Sequence, residues 1–288
     1  MHFASQPRSS RALVANDELA CSLAADLAVR LADEAIVALE HVGITVAPVK
    51  GVMLLARWPA LRGRRDLADV DLLVACEDFG RAMRALGTLG FEPTSHTNRG
   101  ATLVRDDWPL SIDLHHRLFG PHLFDLSTRA VLGRAELDDA LFAAPVLRVD
   151  DMDALAHVVG HAVKSRLRPD DPVVLDDVDW LLGALAFDAR GLAAHLNALR
   201  LRRAAGYVLG ASASRGYVGA GEVVEYLGLD ARDHAAIRAA GAWPGAYWTP
   251  HLLNGSLSRG ALSLSAQLRQ DLGRRVRPSS SPFVTTTR

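Results

Sequence analysis

The sequence predicts an α+β protein: short strands concentrated in residues 44–114, helices flanking them, and an all-helical remainder. Three observations carry that prediction. Short runs at 44–49, 69–74, 91–96, 101–105 and 110–114 have strand length and are set off by turn residues, and 69–74 is rich in branched apolar residues. Ahead of them, Leu19, Leu23, Leu27, Leu31, Ile36 and Leu39 recur at roughly helical spacing. Beyond Asp150 every patterned segment has the helical period.

Taken in order, residues 1–15 are polar and unpatterned and are expected to fray. Asn16 or Asp17 caps a helix running to His41. Ile44–Val49 reads as a strand whose Pro48 implies an edge position or a strand end. Lys50-Gly51 follows, then a short helix to Arg57 that stops near Pro59. After an arginine-rich loop, Val70, Leu72, Leu73 and Val74 mark a buried strand. Glu77–Leu89 is a helix ended by Gly90 at the position after its C-cap. Asn98-Arg99-Gly100 and Asp106–Pro109 supply the turns between the next three strands. Val149–Met152 reads as a strand end entering a capped helix, Asp151–Lys164. Further helices are expected at 173–185, 190–200, 203–212, 221–227 and 231–240, with a disordered arginine-, serine- and threonine-rich tail from Arg274. These boundaries divide the chain into a core at 16–148 and a helical lobe at 149–273.

The strand at 69–74 carries the chemistry. Side chains alternate across a strand, so Asp69 and Asp71 project from one face. Two carboxylates side by side at a core strand repel each other and lose hydration. Either they lie solvated at the strand mouth or a divalent cation relieves them, and hard oxygen ligands suit Mg2+ or Mn2+. Asp113, in Ser111-Ile112-Asp113-Leu114-His115-His116, is a third carboxylate between apolar neighbours; alone it reads equally as a solvated or arginine-paired acid. If its strand lies beside 69–74, three carboxylates converge as a two-metal nucleotidyl transfer requires. Asp113 is then placed to take the proton of an acceptor hydroxyl.

Lys50-Gly51, Arg65-x-x-x-Asp69-x-Asp71-Leu72-Leu73-Val74 and Ile112-Asp113-x-His115 together resemble the uncharacterised nucleotidyltransferase family of the DNA polymerase beta-like nucleotidyltransferase superfamily. His161 and Leu175–Leu182, including Asp177, resemble that family's helical part, so the likeness spans residues 15–185. The resemblance implies a small mixed β-sheet nucleotidyltransferase core flanked by helices and followed by an α-helical lobe. It implies that Asp69 and Asp71 bind metal with Asp113 as third carboxylate, and that the donor is a nucleoside triphosphate. Better-known members of the superfamily open the helix before the metal strand with a glycine-serine pair; Lys50-Gly51 stands there instead. Glycine permits close backbone approach, a helix N-terminus favours anions and lysine adds a point charge. The family pattern also makes Arg65 a phosphate clamp, a task suited to guanidinium geometry, where otherwise Arg62, Arg64 and Arg65 form a solvated cluster.

Three residues are candidates for accessory roles. His115 shares the face of Asp113 and orients it or contacts phosphate, or is a hydrogen-bonded structural residue. His161 faces the cleft or packs on the helix of Asp177, and Asp177 reads equally as an interhelical hydrogen-bond acceptor. His157 and His161 have i, i+4 spacing without the glutamate of a metalloprotease helix, which excludes that class.

Composition narrows the partners. The 49% hydrophobic and 23% charged content is that of an ordinary globular protein. A net charge of −1 argues against a long nucleic acid. Neither a signal pattern nor a spanning apolar run is present, so a cytoplasmic protein without membrane partners is expected. Cys21 and Cys76 are too few for a disulfide framework. Lys50 and Lys164 are the chain's two lysines among 32 basic residues, which makes each worth locating.

The leading function is Mg2+-dependent transfer of a nucleoside monophosphate from its triphosphate to a hydroxyl or phosphate on a small molecule, peptide or protein. Lys50, Gly51 and Arg65 would hold the triphosphate. A sugar-nucleotide glycosyltransferase, which also uses Asp-x-Asp, is the alternative, but no N-terminal βαβ nucleotide unit is evident. A non-catalytic nucleotide-binding or antitoxin-like module on the same fold is the third class.

Overall fold

The structure is a computed structural model describing residues 9–65, 67–184, 188–243, 245, 246, 248–254, 260–265 and 268. The expected tail from 274 and residues 1–8 of the expected frayed start lie outside the described residues.

Helix α1 (Ser9–His41) opens the chain and begins earlier than the Asn16/Asp17 cap expected from sequence. Residues 9–15 contain no glycine or proline, and nothing in their propensity stops a helix there. Its buried face is Ala25, Ala28, Leu31, Ala32, Ala35, Ile36 and Leu39, whereas Leu19 and Leu23 are exposed. Successive i+4 steps overrun the 3.6-residue turn, so a stripe that starts at Leu19 drifts off the core face. After β1 (Ala47–Pro48) come α2 (Lys50–Arg57), a 3-10 turn at Pro59–Leu61, β2 (Asp69–Leu73) and α3 (Phe79–Thr88). Strands β3 (Glu92–His96), β4 (Gly100–Val104) and β5 (Ser111–His115) follow close to their expected positions. Gly90, just past α3, has φ of 87°, the left-handed turn that glycine supplies.

The five strands form one mixed sheet in the order β1-β2-β5-β4-β3. Proline-bearing β1 is an edge strand, in keeping with its missing N–H. The decisive pairing is parallel, β2 with β5, in register Asp69–Ser111, Asp71–Asp113 and Leu73–His115. Alternation then divides the sheet: Val70, Leu72, Ile112 and Leu114 are fully buried on one face, and the acids lie on the other. Burying each such apolar side chain contributes about 1.5–3 kcal/mol.

The sequence pattern did not disclose α4 (Thr128–Arg134) or the small hairpin of β6 (Glu136–Asp138) and β7 (Val146–Arg148). These pieces are too short to show a period, and β6 is largely exposed. Asp150 then caps α5 (Asp151–Lys164), accepting from the N–H groups of Met152 and Asp153. The helical part continues with α6 (Pro172–Ala184), α7 (Ala189–Ala198), α8 (Arg202–Ser214), α9 (Val218–Tyr226), α10 (Ala231–Ala242) and the short α11 (Thr249–Leu252). One contiguous apolar cluster runs from Ala25 of α1 to Leu253 after α11, so sheet and helices share a core. Two ion pairs bind them further: Arg57 of α2 to Asp151 of α5, and Arg65, ahead of β2, to Asp177 of α6.

Candidate active site

A cavity of about 850 Å3 opens between the acidic face of the sheet and the helices. Asp69, Asp71, Asp113 and His115 form its floor, Lys50, Gly51 and Arg65 one wall, and residues of α5 and α6 another. The volume falls in the range of small-molecule pockets. Lys50, Gly51, Arg65, Asp69, Asp71, Asp113, His115, His161 and Asp177 all line this space, whereas His157, Arg62 and Arg64 do not.

Asp71 is the hub. Its side chain is 5% exposed, and its Oδ1 accepts from Lys50 Nζ at 2.6 Å and from His115 Nε2 at 2.8 Å. Burial pushes its carboxyl upward, but the Lys50 ammonium and His115 outweigh that and hold it well below the usual carboxylate range. Asp69 moves the other way: burial first and then the charge of Asp71 raise it above the ordinary value. Repulsion between the i, i+2 acids is thus real, and Lys50 offsets it for the inner one.

Donor atoms of Asp71, Asp113 and His115 lie within 4.8 Å of one another, a spacing that suits a metal ion. His115 stands in that cluster, and Asp69 lines the same cavity beside it. The imidazole already donates to Asp71, as residues that orient metal-binding carboxylates do.

Lys50 heads α2 with φ of 54°, a left-handed conformation that costs a non-glycine residue about 1–2 kcal/mol. That turn accompanies an ammonium group bonded to Asp71. Gly51 is required by close approach of side chains: a Cβ there would meet Leu67 Cδ2 at 2.3 Å and Arg65 Nη1 at 2.4 Å. Arg65 in turn donates from Nε and Nη2 to the two oxygens of Asp177 at 2.8 and 2.7 Å. Burial raises the Asp177 carboxyl to about 6 although Arg65 pulls it down. The side chain expected to clamp phosphate is therefore bidentate on α6, and the interhelical acceptor role weighed for Asp177 is filled by an arginine from the core.

His157 packs edge-on against Phe119 and His161. Burial, then the Lys50 charge, lowers both histidines well below their ordinary value, so both are neutral. Sequence reasoning gave Lys164 no role and missed Arg99 and Arg166, which also line the cavity. For Lys164 a signal existed: both lysines of the chain face the same space.

A mixed sheet whose parallel central pair carries facing acids, backed by helices, defines a protein of the nucleotidyltransferase class. The chain belongs to the uncharacterised nucleotidyltransferase family, whose sequence profile matches residues 3–215. Similar solved structures include the solution structure of the antibiotic-resistance factor ANT(2″)-Ia, at 17% identity and a TM-score of 0.47 over 62% of this chain and 93% of that one. A crystal structure of ANT(2″)-Ia with adenylyl-2″-tobramycin aligns at 17% identity and a TM-score of 0.46, covering 60% and 97%. A tRNA-processing enzyme in an apo form aligns at 13% identity and a TM-score of 0.26, covering 92% and 76%. No curated protein sequence matches the chain significantly.

Proposed function

We propose that the protein is a divalent-metal-dependent nucleotidyltransferase that moves a nucleoside monophosphate from its triphosphate to a hydroxyl or phosphate of a small-molecule, peptide or protein acceptor. The observation that carries this reading is the register of β2 and β5, which sets Asp113 directly beside Asp71 with Asp69 on the same face. Asp71 and Asp113 cluster with His115, and Asp69 lines the same cavity; the three carboxylates fit Mg2+ or Mn2+, and Asp69, Asp71 and Asp113 would hold it. When bound, the metal supplies charge neutralisation for the reacting phosphoryl group and the departing pyrophosphate.

The chain's own residues divide the remaining work. Lys50 and His115 keep Asp71 ionised and oriented. Asp113 accepts the proton of the acceptor hydroxyl as its oxygen bonds to the α-phosphorus. The bond from that phosphorus to the oxygen bridging the β-phosphorus breaks, and pyrophosphate leaves with the electron pair. Lys50, Gly51 and Arg65 form the wall along the donor, with Lys50 and Arg65 each already balanced by a carboxylate.

Isothermal titration of ATP, GTP, CTP and UTP with Mg2+ tests the reading on wild type and on Asp69→Asn/Asp71→Asn. Metal-dependent binding of at least one triphosphate, lost in the double variant, is expected. Binding of UDP-sugars with no triphosphate bound would make the protein a glycosyltransferase. Binding of neither by folded protein would leave a non-catalytic module.

A further inference from the structure

The charges of the cavity are segregated. Lys50 is committed to Asp71 and Arg65 to Asp177, so neither brings an unbalanced positive charge to a polyanion. Lys164 lies on the last turn of α5, lines the cavity half-buried, and has no carboxylate within ion-pair distance among the described residues. One helical turn back, His161 lines the same wall, and its buried Nδ1 has no hydrogen-bond partner among the described residues. Its Nε2 lies 3.3 Å from Ser165 Oγ, and a hydroxyl donating there leaves Nδ1–H as a donor. The helix then turns sharply: Arg166 has φ of 57°, and the N–H groups of Ser165, Arg166 and Leu167 close back onto the carbonyls of His161, Val163 and Ala162.

We propose that Lys164, on the C-terminal turn of α5, supplies the cation of the subsite for the terminal phosphates of the donor and hence for the pyrophosphate that leaves. The assignment rests on the nucleotidyltransferase reading and locates within it the part of the donor that Lys50 and Arg65 do not neutralise. A helix C-terminus by itself repels anions. Here the last carbonyls are capped by their own backbone, and the Lys164 side chain lines the cavity in their place. Burial, then the Arg99 and Lys50 charges, lowers the Lys164 amine to about 7, as expected of a cation short of anions. A polyphosphate would supply them.

The test titrates the full chain with Mg2+-ATP, inorganic tripolyphosphate and adenosine, on wild type, Lys164→Met and Lys164→Arg. Loss of one charge-assisted phosphate contact weakens tripolyphosphate and ATP by about tenfold or more, leaves adenosine unchanged, and is largely restored by arginine. A second measurement covers the case in which Lys164→Met does not fold. In wild type, tripolyphosphate should slow acylation of Lys164, followed by mass spectrometry, while adenosine should not. Equal tripolyphosphate affinity in folded Lys164→Met, or unprotected Lys164 in wild type saturated with tripolyphosphate, overturns the subsite and leaves the proposed function standing. Failure of wild type to bind either ATP or tripolyphosphate overturns both.

Discussion

Replacing Arg65 by methionine tests whether the Arg65–Asp177 pair is the bolt between the sheet and the helices. The pair is bidentate at 2.8 and 2.7 Å, with side chains 12% and 9% exposed. Removing one partner of a buried pair strands the other, at a cost of about 3–5 kcal/mol. Arg65→Met leaves the Asp177 carboxylate without its counter-charge, and Asp177→Leu leaves the mostly buried guanidinium without its carboxylate. Each single variant should lose that much, a fall in Tm on the order of 10 °C for a chain of this length. The double variant, which removes both charges, should return to within about 1–2 kcal/mol of wild type. The coupling energy from urea denaturation of the four proteins is then on the order of 3 kcal/mol or more. Additive losses, with the double variant the least stable of the four, would refute the bolt and return Arg65 to the role of a phosphate clamp.

Other consequences are equally direct. Histidines held neutral when folded take up protons on unfolding, so below the unfolded value of about 6.5 stability falls by up to roughly 1.4 kcal/mol per pH unit for each. Asp177, raised to about 6, opposes this over part of the range. The difference between wild type and His157→Phe in urea melts from pH 7.5 to 5.5 isolates the histidine, and parallel profiles would contradict its neutrality. Lys50→Met frees Asp71 Oδ1 from the ammonium; Mn2+ should bind about tenfold tighter to the nucleotide-free protein as read by electron paramagnetic resonance, and weaker binding would show that Lys50 supports the metal site. Gly100→Ala puts a Cβ 2.1 Å from the carbonyl oxygen of Leu114, so β4 must part from β5. A loss of at least about 2 kcal/mol is expected in chemical denaturation; unchanged stability would mean that the two strands separate at little cost.

Much of this architecture was legible from residues 44–114 and from the helical period after 150. The acids at 69, 71 and 113 announced themselves because a strand that is apolar on both sides of a carboxylate has few reasons to keep one. Helix α5 emerged with its expected bounds, since Asp150 caps it and its apolar period is unbroken. What pairs with what was not legible. Nothing in the local sequence of Lys50 indicates that it reaches Asp71, or that Gly51 is small so that Arg65 can cross it toward Asp177. Those are contacts between segments far apart in the chain, and residue spacing carries no information about them. Lys164 drew notice only as one of two lysines and was given no role for a related reason: one cation at a helix end is ordinarily solvated, and only the cavity shows that it is not.

The parallel pairing of β2 with β5 also shapes how the protein comes to exist. Asp71 and His115 are 44 positions apart, and α3, β3 and β4 lie between them. Parallel strands cannot be joined by a tight turn, so this crossover must close before the pocket has a floor. Contacts of such long range form slowly and late. A chain still emerging from the ribosome therefore holds its acids on separate segments, and the proposed site for donor and metal does not exist until residue 115 has been made and placed. Ligand then stabilises the finished molecule alone, and raising its concentration should slow global unfolding while leaving the rate of folding nearly untouched.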